Sequence, residues 1–359
     1  MIFAALILAL FFNFSFFSYS QDKKETLGEA MVRLSHTFRP QSGPGDFDFV
    51  ITHDGIFRRY NVHVPKQYTR YDKSRALPAL LVFHGGGGNA QSSIEFFSLN
   101  EKADKEGFMV VYPEGTGKLI RGLAMGSWNA GECCPPASDD KIDDVGFING
   151  LINKLLDDFN IDPKRIYAAG HSNGALMVYR LACELPDKIA AIAACSAHDA
   201  FPQCRPYHGV PVLHIHGTAD SCAPYEGGEC GGCFARFLSL SGIGLRNVNW
   251  KCSSVEDYVF FWKKLNYCSD DQAVIYENKN ARCISYNDCL NESEVVLCTV
   301  EGMGHYWPGE ISSMGACKSD ADSELCFKWL KVMGKPNSDL IANDIIWDFF
   351  KRHTLTWSE

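Results

Sequence analysis

The sequence predicts an α/β protein with a mostly parallel central sheet and helices on both of its faces. Three observations predict this class: short apolar runs that suit buried strands, amphipathic helical patterns between them, and the regular alternation of the two along the chain. Strands buried on both faces belong to parallel sheets, because crossover helices cover both sides. The alternation therefore indicates right-handed crossovers around one sheet.

The first predicted elements are three strands and a helix. Residues 59–64 alternate between polar and apolar side chains, which is the period of a half-exposed strand. Residues 79–83 and 108–112 are unbroken apolar runs, short enough to be buried strands. Asp143 and Asp144 favour a helix N-terminus by capping and through the helix dipole. The amphipathic helix that follows carries apolar residues at spacings of three and four: Val145, Ile148, Ile152, Leu155 and Phe159.

The second half of the chain repeats this alternation. Four further strands are predicted, at residues 165–169, 189–194, 212–216 and 295–299. A closing amphipathic helix carries Ile341, Ile345, Ile346, Phe349 and Phe350. We therefore predict one catalytic-sized domain at residues 46–353, with a Gly- and Cys-rich excursion at 227–254 and a C-terminal tail at 354–359.

The composition excludes two classes of protein. Disordered chains are poor in apolar residues, whereas 46% of these 359 residues are hydrophobic. The formal net charge of −9 repels phosphate backbones, and no cluster of Lys and Arg offsets it locally. Nucleic acid is therefore not an expected partner.

The cysteines and the N-terminus predict secretion, to an extracellular or periplasmic compartment. Fifteen cysteines between Cys133 and Cys326 favour an oxidising environment. Residues 2–17 are almost wholly apolar, and small residues follow, which is typical of a signal peptide cleaved after Ser20. An uncleaved membrane anchor is the alternative, because no Lys or Arg precedes the apolar run. We expect a signal peptide at 1–20, a flexible leader at 21–45 and no membrane contact after cleavage.

The cysteine count and one adjacent pair carry specific expectations. Fifteen is an odd number, so at least one thiol should be free or pair between chains. Neighbouring Cα atoms lie ~3.8 Å apart, whereas ordinary disulfides span ~4.4–6.8 Å between Cα atoms. Cys133 and Cys134 should therefore bond to separate partners or form one strained bridge.

Two patterns have the character of metal ligands, and we interpret neither as a metal site. Cys230 and Cys233 have the spacing of half a zinc site, but in a secreted chain disulfides are expected. His214 and His216 alternate on a predicted buried strand and have no partner at ligand spacing in the sequence. We expect both histidines to be packed in the core.

Residues 170–174, Gly-His-Ser-Asn-Gly, carry the strongest chemical signal. They follow a predicted strand and open a predicted helix, the context in which a G-x-S-x-G string forms a nucleophile elbow. The tight turn projects the hydroxyl of Ser172 at the helix N-terminus, where the Asn173 amide and the helix dipole face a developing oxyanion. Ser172 is the predicted nucleophile.

A serine hydroxyl needs a histidine to accept its proton and a carboxylate to hold that histidine. With such an elbow the chain order is serine, acid, histidine, and only His305 and His353 follow a plausible acid. His353 ends a predicted helix, where a cation is favourable, so we predict His305 as the base. Asp220 lies just past the strand at 212–216, at the edge where catalytic groups collect. Asp220 is the predicted acid, and Asp199 is its competitor.

Three further features suit the same site. A histidine and four glycines at 84–88 follow the predicted strand at 79–83, and their bare backbone can aim an amide at the oxyanion beside that of Asn173. Trp128 and Trp307 lie near turn glycines. They suit either the core or the wall of an acyl or aryl pocket.

With these motifs in order, the chain resembles the secreted polyhydroxybutyrate depolymerase-like esterases, a family that includes feruloyl and acetyl-xylan esterases of carbohydrate esterase family one. The resemblance covers roughly residues 47–353 and rests also on Ser-Trp-Asn-Ala-Gly at 127–131 with the adjacent cysteines, on 143–147, on 216–220 and on 298–309. It implies the α/β-hydrolase fold, no cofactor and no metal. It also implies Ser172, Asp220 and His305 as the triad, with Gly86 and Asn173 as oxyanion donors.

We therefore expect a secreted serine carboxylic-ester hydrolase that acts through an acyl-enzyme on short hydroxyalkanoate oligomers or similarly accessible esters. No appended polymer-binding module is predicted after the final helix, which favours accessible esters over solid polyester. The alternatives are a feruloyl or acetyl-xylan esterase on plant polysaccharide, a serine peptidase, and a non-catalytic, disulfide-rich binding protein.

Overall fold

The computed structural model of the protein describes residues 43–120, 123–240, 242–244, 248–309, 317 and 320–355. The predicted signal peptide, nearly all of the predicted leader and the end of the predicted tail lie outside the described residues. Their boundaries stay predictions, as does the single catalytic-sized domain. Within the described ranges, no helix combines the length and the apolar character that crossing a bilayer requires.

Strands and helices alternate along the described chain. The strands are β1 Gly45–His53, β2 Ile56–Val64, β3 Leu77–Phe83, β4 Met109–Pro113, β5 Thr116–Ile120, β6 Leu123–Ser127, β7 Ile161–His171, β8 Ala191–Cys195, β9 Val212–Gly217, β10 Gly228–Gly231, β11 Asn249–Cys252, β12 Gln272–Asn278, β13 Ala281–Tyr286 and β14 Val295–Val300. The helices are α1 Ala90–Phe97, α2 Asn100–Glu106, α3 Asp144–Asp158, α4 Asn173–Glu184, α5 Cys233–Leu240, α6 Val255–Leu265, α7 Glu324–Met333 and α8 Ala342–Phe350.

A ten-stranded sheet forms the centre, in the order β1-β2-β4-β3-β7-β8-β9-β14-β13-β12. The six strands from β4 to β14 in this order pair in parallel. Both edges are antiparallel hairpins, β1 with β2 and β13 with β12. Two small two-stranded sheets, β5-β6 and β10-β11, lie outside it. The predicted α/β class with a mostly parallel sheet is confirmed.

The core lies on both faces of this sheet, because successive side chains of a strand point to opposite sides. In β3, Leu81 packs in a cluster with Phe147 of α3 and Leu176 of α4. Its neighbour Val82 packs in a second cluster with Phe97 of α1 and the C-terminal helix α8. The predicted buried runs are thus strands covered by helices on each side. The predicted cap also occurs: the Asp143 carboxylate accepts from the Gly146 amide at 2.9 Å.

Seven disulfides join fourteen cysteines of the described chain, and the fifteenth, Cys195, is a buried free thiol. Cys133 and Cys134 bond to each other, so of the two expected arrangements the structure has the shared bridge. Cys230 and Cys233 bond to different partners, Cys252 and Cys222, as expected of disulfide cysteines. These two bridges tie down the predicted excursion, which contains β10, α5 and β11.

Candidate active site

Ser172 occupies the turn between β7 and α4, where parallel strands present their carboxyl ends. Its φ is +56° and its ψ is −123°, a backbone conformation that residues other than glycine rarely adopt. This conformation projects the hydroxyl out of the turn. A Cβ on Gly170 would collide with the backbone of Gly174, and a Cβ on Gly174 would collide with the carbonyl of Phe83. Both glycines therefore permit the close packing of strand and helix on which this turn depends.

The structure brings the three predicted triad side chains together. The Ser172 hydroxyl Oγ lies 2.8 Å from His305 Nε2, and His305 Nδ1 lies 2.8 Å from Asp220 Oδ2. An ionised carboxylate only accepts, so Nδ1 carries the imidazole hydrogen and Nε2 is free to accept from the serine. These contacts have the arrangement that transfers the hydroxyl proton to a histidine.

Asp220 is held as an anion by its surroundings. Its Oδ1 accepts from the backbone amides of Cys222 at 2.7 Å and Ala223 at 3.0 Å. Burial alone raises the pKa of Asp220, but the charges and hydrogen bonds of its neighbours, above all His305, lower it below its ordinary value. The carboxylate thus stays ionised and can stabilise a positive charge on His305.

The competing residues have other partners. The Asp199 carboxylate accepts from the Ser253 amide at 2.9 Å, in the loop before α6. His353 Nε2 lies 3.1 Å from Glu294 Oε2, so this histidine pairs with a buried carboxylate rather than merely ending a helix. Its predicted position at a helix end had already set His353 aside in favour of His305, whereas Asp199 was still a competitor of Asp220 until the tertiary contacts were known.

The glycine loop, which is the segment of one histidine and four glycines at residues 84–88, packs directly against the elbow. A Cβ on Gly85 would lie 3.3 Å from Ser172 Cβ, and one on Gly86 would lie 4.0 Å from Asn173 Cβ. Gly86 and the first residue of α4 thus lie side by side, and both line the cavity together with Ser172, where an oxyanion site would lie. Their assignment as donors stays a prediction.

A cavity of about 1010 Å³ opens at the triad. Ser172 and His305 line it, together with the glycine loop and the Cys133–Cys134 bridge. Its apolar wall comes from α1, α5 and α7 and includes Phe96, Phe97, Phe234, Trp329 and Met333. These residues come from three separate segments, and no local sequence pattern marks them as neighbours. The cavity is large enough for an acyl group and part of its alcohol.

Trp128 and Trp307, which the sequence offered as pocket residues, are both fully buried. Neither is among the described residues that line the cavity. Trp307 donates from Nε1 to Asn343 Oδ1 at 2.9 Å and packs on Phe97, with the ring centroids 4.8 Å apart. Trp128 lies behind the glycine loop and donates from Nε1 to the His84 carbonyl at 3.0 Å. The structure thus favours the core alternative for both indoles.

Three buried histidines are the best candidate for holding a metal, and hydrogen bonds already occupy most of their nitrogens. His216 Nε2 donates to the Ala223 carbonyl at 2.7 Å, so its Nδ1 accepts from His214 Nε2 at 2.9 Å. His214 Nδ1 then accepts from the Tyr179 hydroxyl at 2.8 Å. The third ring, His198, lies 5.5 Å from that of His216 and donates from Nε2 to the Ser253 carbonyl. This directed series of hydrogen bonds favours the interpretation that His214 and His216 are packed in the core and do not bind a metal.

Comparison with known proteins shows which proteins this chain resembles. A family described as Phospholipase/Carboxylesterase matches residues 67–234. Feruloyl esterase B of Piromyces equi is 31% identical over 254 residues, which are 69% of this chain and 42% of that protein. The bifunctional acetylxylan esterase/xylanase XynS20E of Neocallimastix patriciarum is 28% identical over 64% of this chain and 28% of its own length. The match thus spans less than half of either relative.

Among solved structures, the acetyl xylan esterase from Aspergillus awamori superposes with a TM-score of 0.52 at 12% identity. The superposition covers 79% of this chain and 99% of that one, which shows a common fold. This chain has the α/β-hydrolase fold and is similar to feruloyl esterases. The expected α/β-hydrolase fold is confirmed, and the relatives of this feruloyl esterase-like protein are named as esterases. Their names fit the alternative, a feruloyl or acetyl-xylan esterase, better than the hydroxyalkanoate esterase that we placed first.

Proposed function

We propose that this feruloyl esterase-like protein is an extracellular serine carboxylic-ester hydrolase that removes hydroxycinnamoyl or acetyl groups from plant polysaccharide. One observation carries the proposal: the hydrogen-bonded series Ser172, His305 and Asp220 ends at a hydroxyl that faces a large, partly apolar cavity. The names of the relatives support the substrate class, and seven disulfides in the described chain support the extracellular location.

The proposed reaction proceeds through an acyl-enzyme. His305 Nε2 takes the Ser172 proton as Oγ attacks the ester carbonyl, and Asp220 stabilises the imidazolium that forms. The amides of Gly86 and Asn173 stabilise the oxyanion of the tetrahedral intermediate. His305 then returns the proton to the departing sugar oxygen, and the acyl group stays on Ser172. Water, activated by the same histidine, releases the acid and restores the serine.

The shape of the cavity supports an aromatic or short acyl group. Phe96, Phe234 and Trp329 contribute flat apolar surface to the cavity, and aromatic pairs contribute about 0.5–1.5 kcal/mol each beyond the burial of area. An acetyl group needs little of this surface, whereas a hydroxycinnamoyl ring would cover much of it. The leaving sugar would extend into the open part of the cavity.

The test compares initial rates on methyl ferulate, acetylated xylan and dissolved hydroxybutyrate trimer, for the natural chain and for Ser172→Ala. We expect turnover of the first two, and a loss of about 10⁶ in kcat in the variant because triad members act as a unit. Ser196→Ala is the matched control, since Ser196 lines the same cavity but its hydroxyl donates to the Tyr306 carbonyl. Faster turnover of the trimer would restore the polyester substrates, and undiminished activity in Ser172→Ala would contradict the mechanism.

A further inference from the structure

The imidazole of His84 has its tautomer fixed by two backbone groups. Its Nε2 accepts from the Gly115 amide at 2.9 Å, and its Nδ1 lies 2.8 Å from the Gly85 carbonyl oxygen. An amide only donates and a carbonyl only accepts, so the single ring hydrogen is on Nδ1. Burial lowers the pKa of His84 to about 4, which keeps this ring neutral at ordinary pH.

The orientation of one peptide group follows from that hydrogen bond. In a planar trans peptide the carbonyl and the next amide hydrogen point in opposite directions. The Gly85 carbonyl is turned toward His84, so the Gly86 amide, which belongs to the same peptide group, is turned away from it. The next two amides are already used, because Gly87 donates to Gly126 at 2.8 Å and Gly88 donates to the Gly85 carbonyl at 3.1 Å.

Backbone from three segments encloses the His84 ring so closely that its position is fixed. A Cβ on Gly88 would lie 2.8 Å from His84 Cβ, and Cβ atoms on Gly115 and Gly126 would lie 3.2 Å and 3.0 Å from its Cε1. Separations this short require neighbouring atoms to move. Three glycines thus form a slot for the imidazole, and Trp128 closes it, with the ring centroids 5.0 Å apart.

Trp128 links this slot to the other oxyanion donor. Its indole Nε1 donates to the His84 carbonyl at 3.0 Å. Its backbone amide donates to Asn173 Oδ1 at 2.7 Å, and its carbonyl accepts from Asn173 Nδ2 at 3.0 Å. One buried residue therefore connects the loop of Gly86 with the helix start at Asn173.

We propose that His84 is a positioning residue that turns the Gly85–Gly86 peptide so that the Gly86 amide faces the oxyanion, with Trp128 holding this loop against Asn173. This inference rests on the proposed ester hydrolysis and deepens it by assigning the donor within the glycine run. It explains why a histidine begins the run, since the hydrogen on Nδ1 selects which amide is presented.

Two substitutions separate the two nitrogens of the ring. His84→Asn can place an amide N–H near the position of Nδ1 and so keep a donor for the Gly85 carbonyl, while losing the acceptor for Gly115. His84→Gln can keep an acceptor near Nε2 and loses the donor. Kinetics on p-nitrophenyl acetate, and inhibition by a trifluoromethyl ketone whose adduct carries an oxyanion, report the oxyanion site.

We expect His84→Gln to lower kcat by about 10² with KM nearly unchanged, the scale of one lost oxyanion donor. The affinity for the trifluoromethyl ketone should fall by a similar factor, whereas His84→Asn should keep kcat within about tenfold of the natural chain. Trp128→Phe keeps an aromatic ring against His84 and removes the indole donor. It should lower kcat and leave KM nearly unchanged. If either His84 variant fails to fold, Trp128→Phe decides the question.

Equal losses in the Asn and Gln variants, or a Trp128→Phe variant with unchanged kcat, would overturn the role of His84. An effect confined to KM would overturn it as well. A natural chain that lacks esterase activity altogether would instead contradict the proposed function, so the two failures are distinguishable.

Discussion

At the scale of single residues, the site depends on side chains whose hydrogen bonds have only one direction. His305 must donate from Nδ1 because Asp220 is a carboxylate, and its Nε2 then accepts from Ser172. The residue types and their order along the chain predicted this set. Sequence alone left Asp199 in competition, because a carboxylate after a strand has the same local pattern in both places.

The acid can be tested by substitutions of the same size. Asp220→Asn keeps the shape but favours the wrong tautomer of His305, so kcat should fall by about 10⁴. Asp199→Asn is the matched control, since the Asp199 carboxylate accepts from the Ser253 amide and an amide oxygen can still do so. Steady-state kinetics on one soluble ester measure both, and a larger loss in Asp199→Asn would show that the acid is misassigned.

At the scale of elements, the excursion at residues 227–254 forms one wall of the cavity. Cys222–Cys233 and Cys230–Cys252 anchor it, and Phe234 of α5 faces the cavity. Sequence predicted the excursion from its glycines and cysteines but not this contribution. The packing of α5 against the opening depends on disulfide pairing, which cysteine spacing does not determine.

Phe234→Ala should therefore change specificity more than catalysis. Loss of an aromatic contact of about 0.5–1.5 kcal/mol corresponds to about a 2- to 13-fold lower kcat/KM on methyl ferulate. The rate on p-nitrophenyl acetate should change little. Phe260→Ala removes an exposed phenylalanine of α6 and serves as the control. A uniform loss on both substrates would mean that α5 supports the fold rather than the acyl group.

At the scale of the whole molecule, apolar runs predicted the parallel strands, because a strand that is buried on both faces is apolar at nearly every position. The edge hairpin of β12 and β13 went unpredicted, since nearly all of β12 is exposed. Trp128 and Trp307 show a second limit. Whether an aromatic residue near a turn lines a pocket or fills the core depends on segments distant in sequence, such as Asn173 and Asn343.

The buried histidines predict how stability varies with pH. Burial lowers the pKa of five rings below the ordinary value: His84, His171, His198, His214 and His216. Below about pH 6.5 the unfolded chain binds protons that these folded rings do not bind, and for His84 and His216 this continues down to about pH 4. The free energy of unfolding therefore falls as the pH is lowered. Each ring contributes up to about 1.4 kcal/mol per pH unit.

Urea denaturation at pH 7, 5.5 and 4.5 measures this dependence. His198→Gln removes one ring from the set and should make it shallower. A free energy of unfolding that stays constant from pH 7 to 4.5 would mean that these histidines are not buried in neutral form.

The Cys133–Cys134 bridge has a different physical effect from the other six in the described chain. Those six close loops with sequence separations of 9 to 22 and so restrict the unfolded chain. A bond between adjacent residues spans no intervening residues, so it adds almost no restriction on long-range freedom in that ensemble. Both cysteines instead line the cavity. Replacing both cysteines by alanine should leave Tm nearly unchanged and alter KM. This covalent bond would then determine how the substrate fits rather than how stable the fold is.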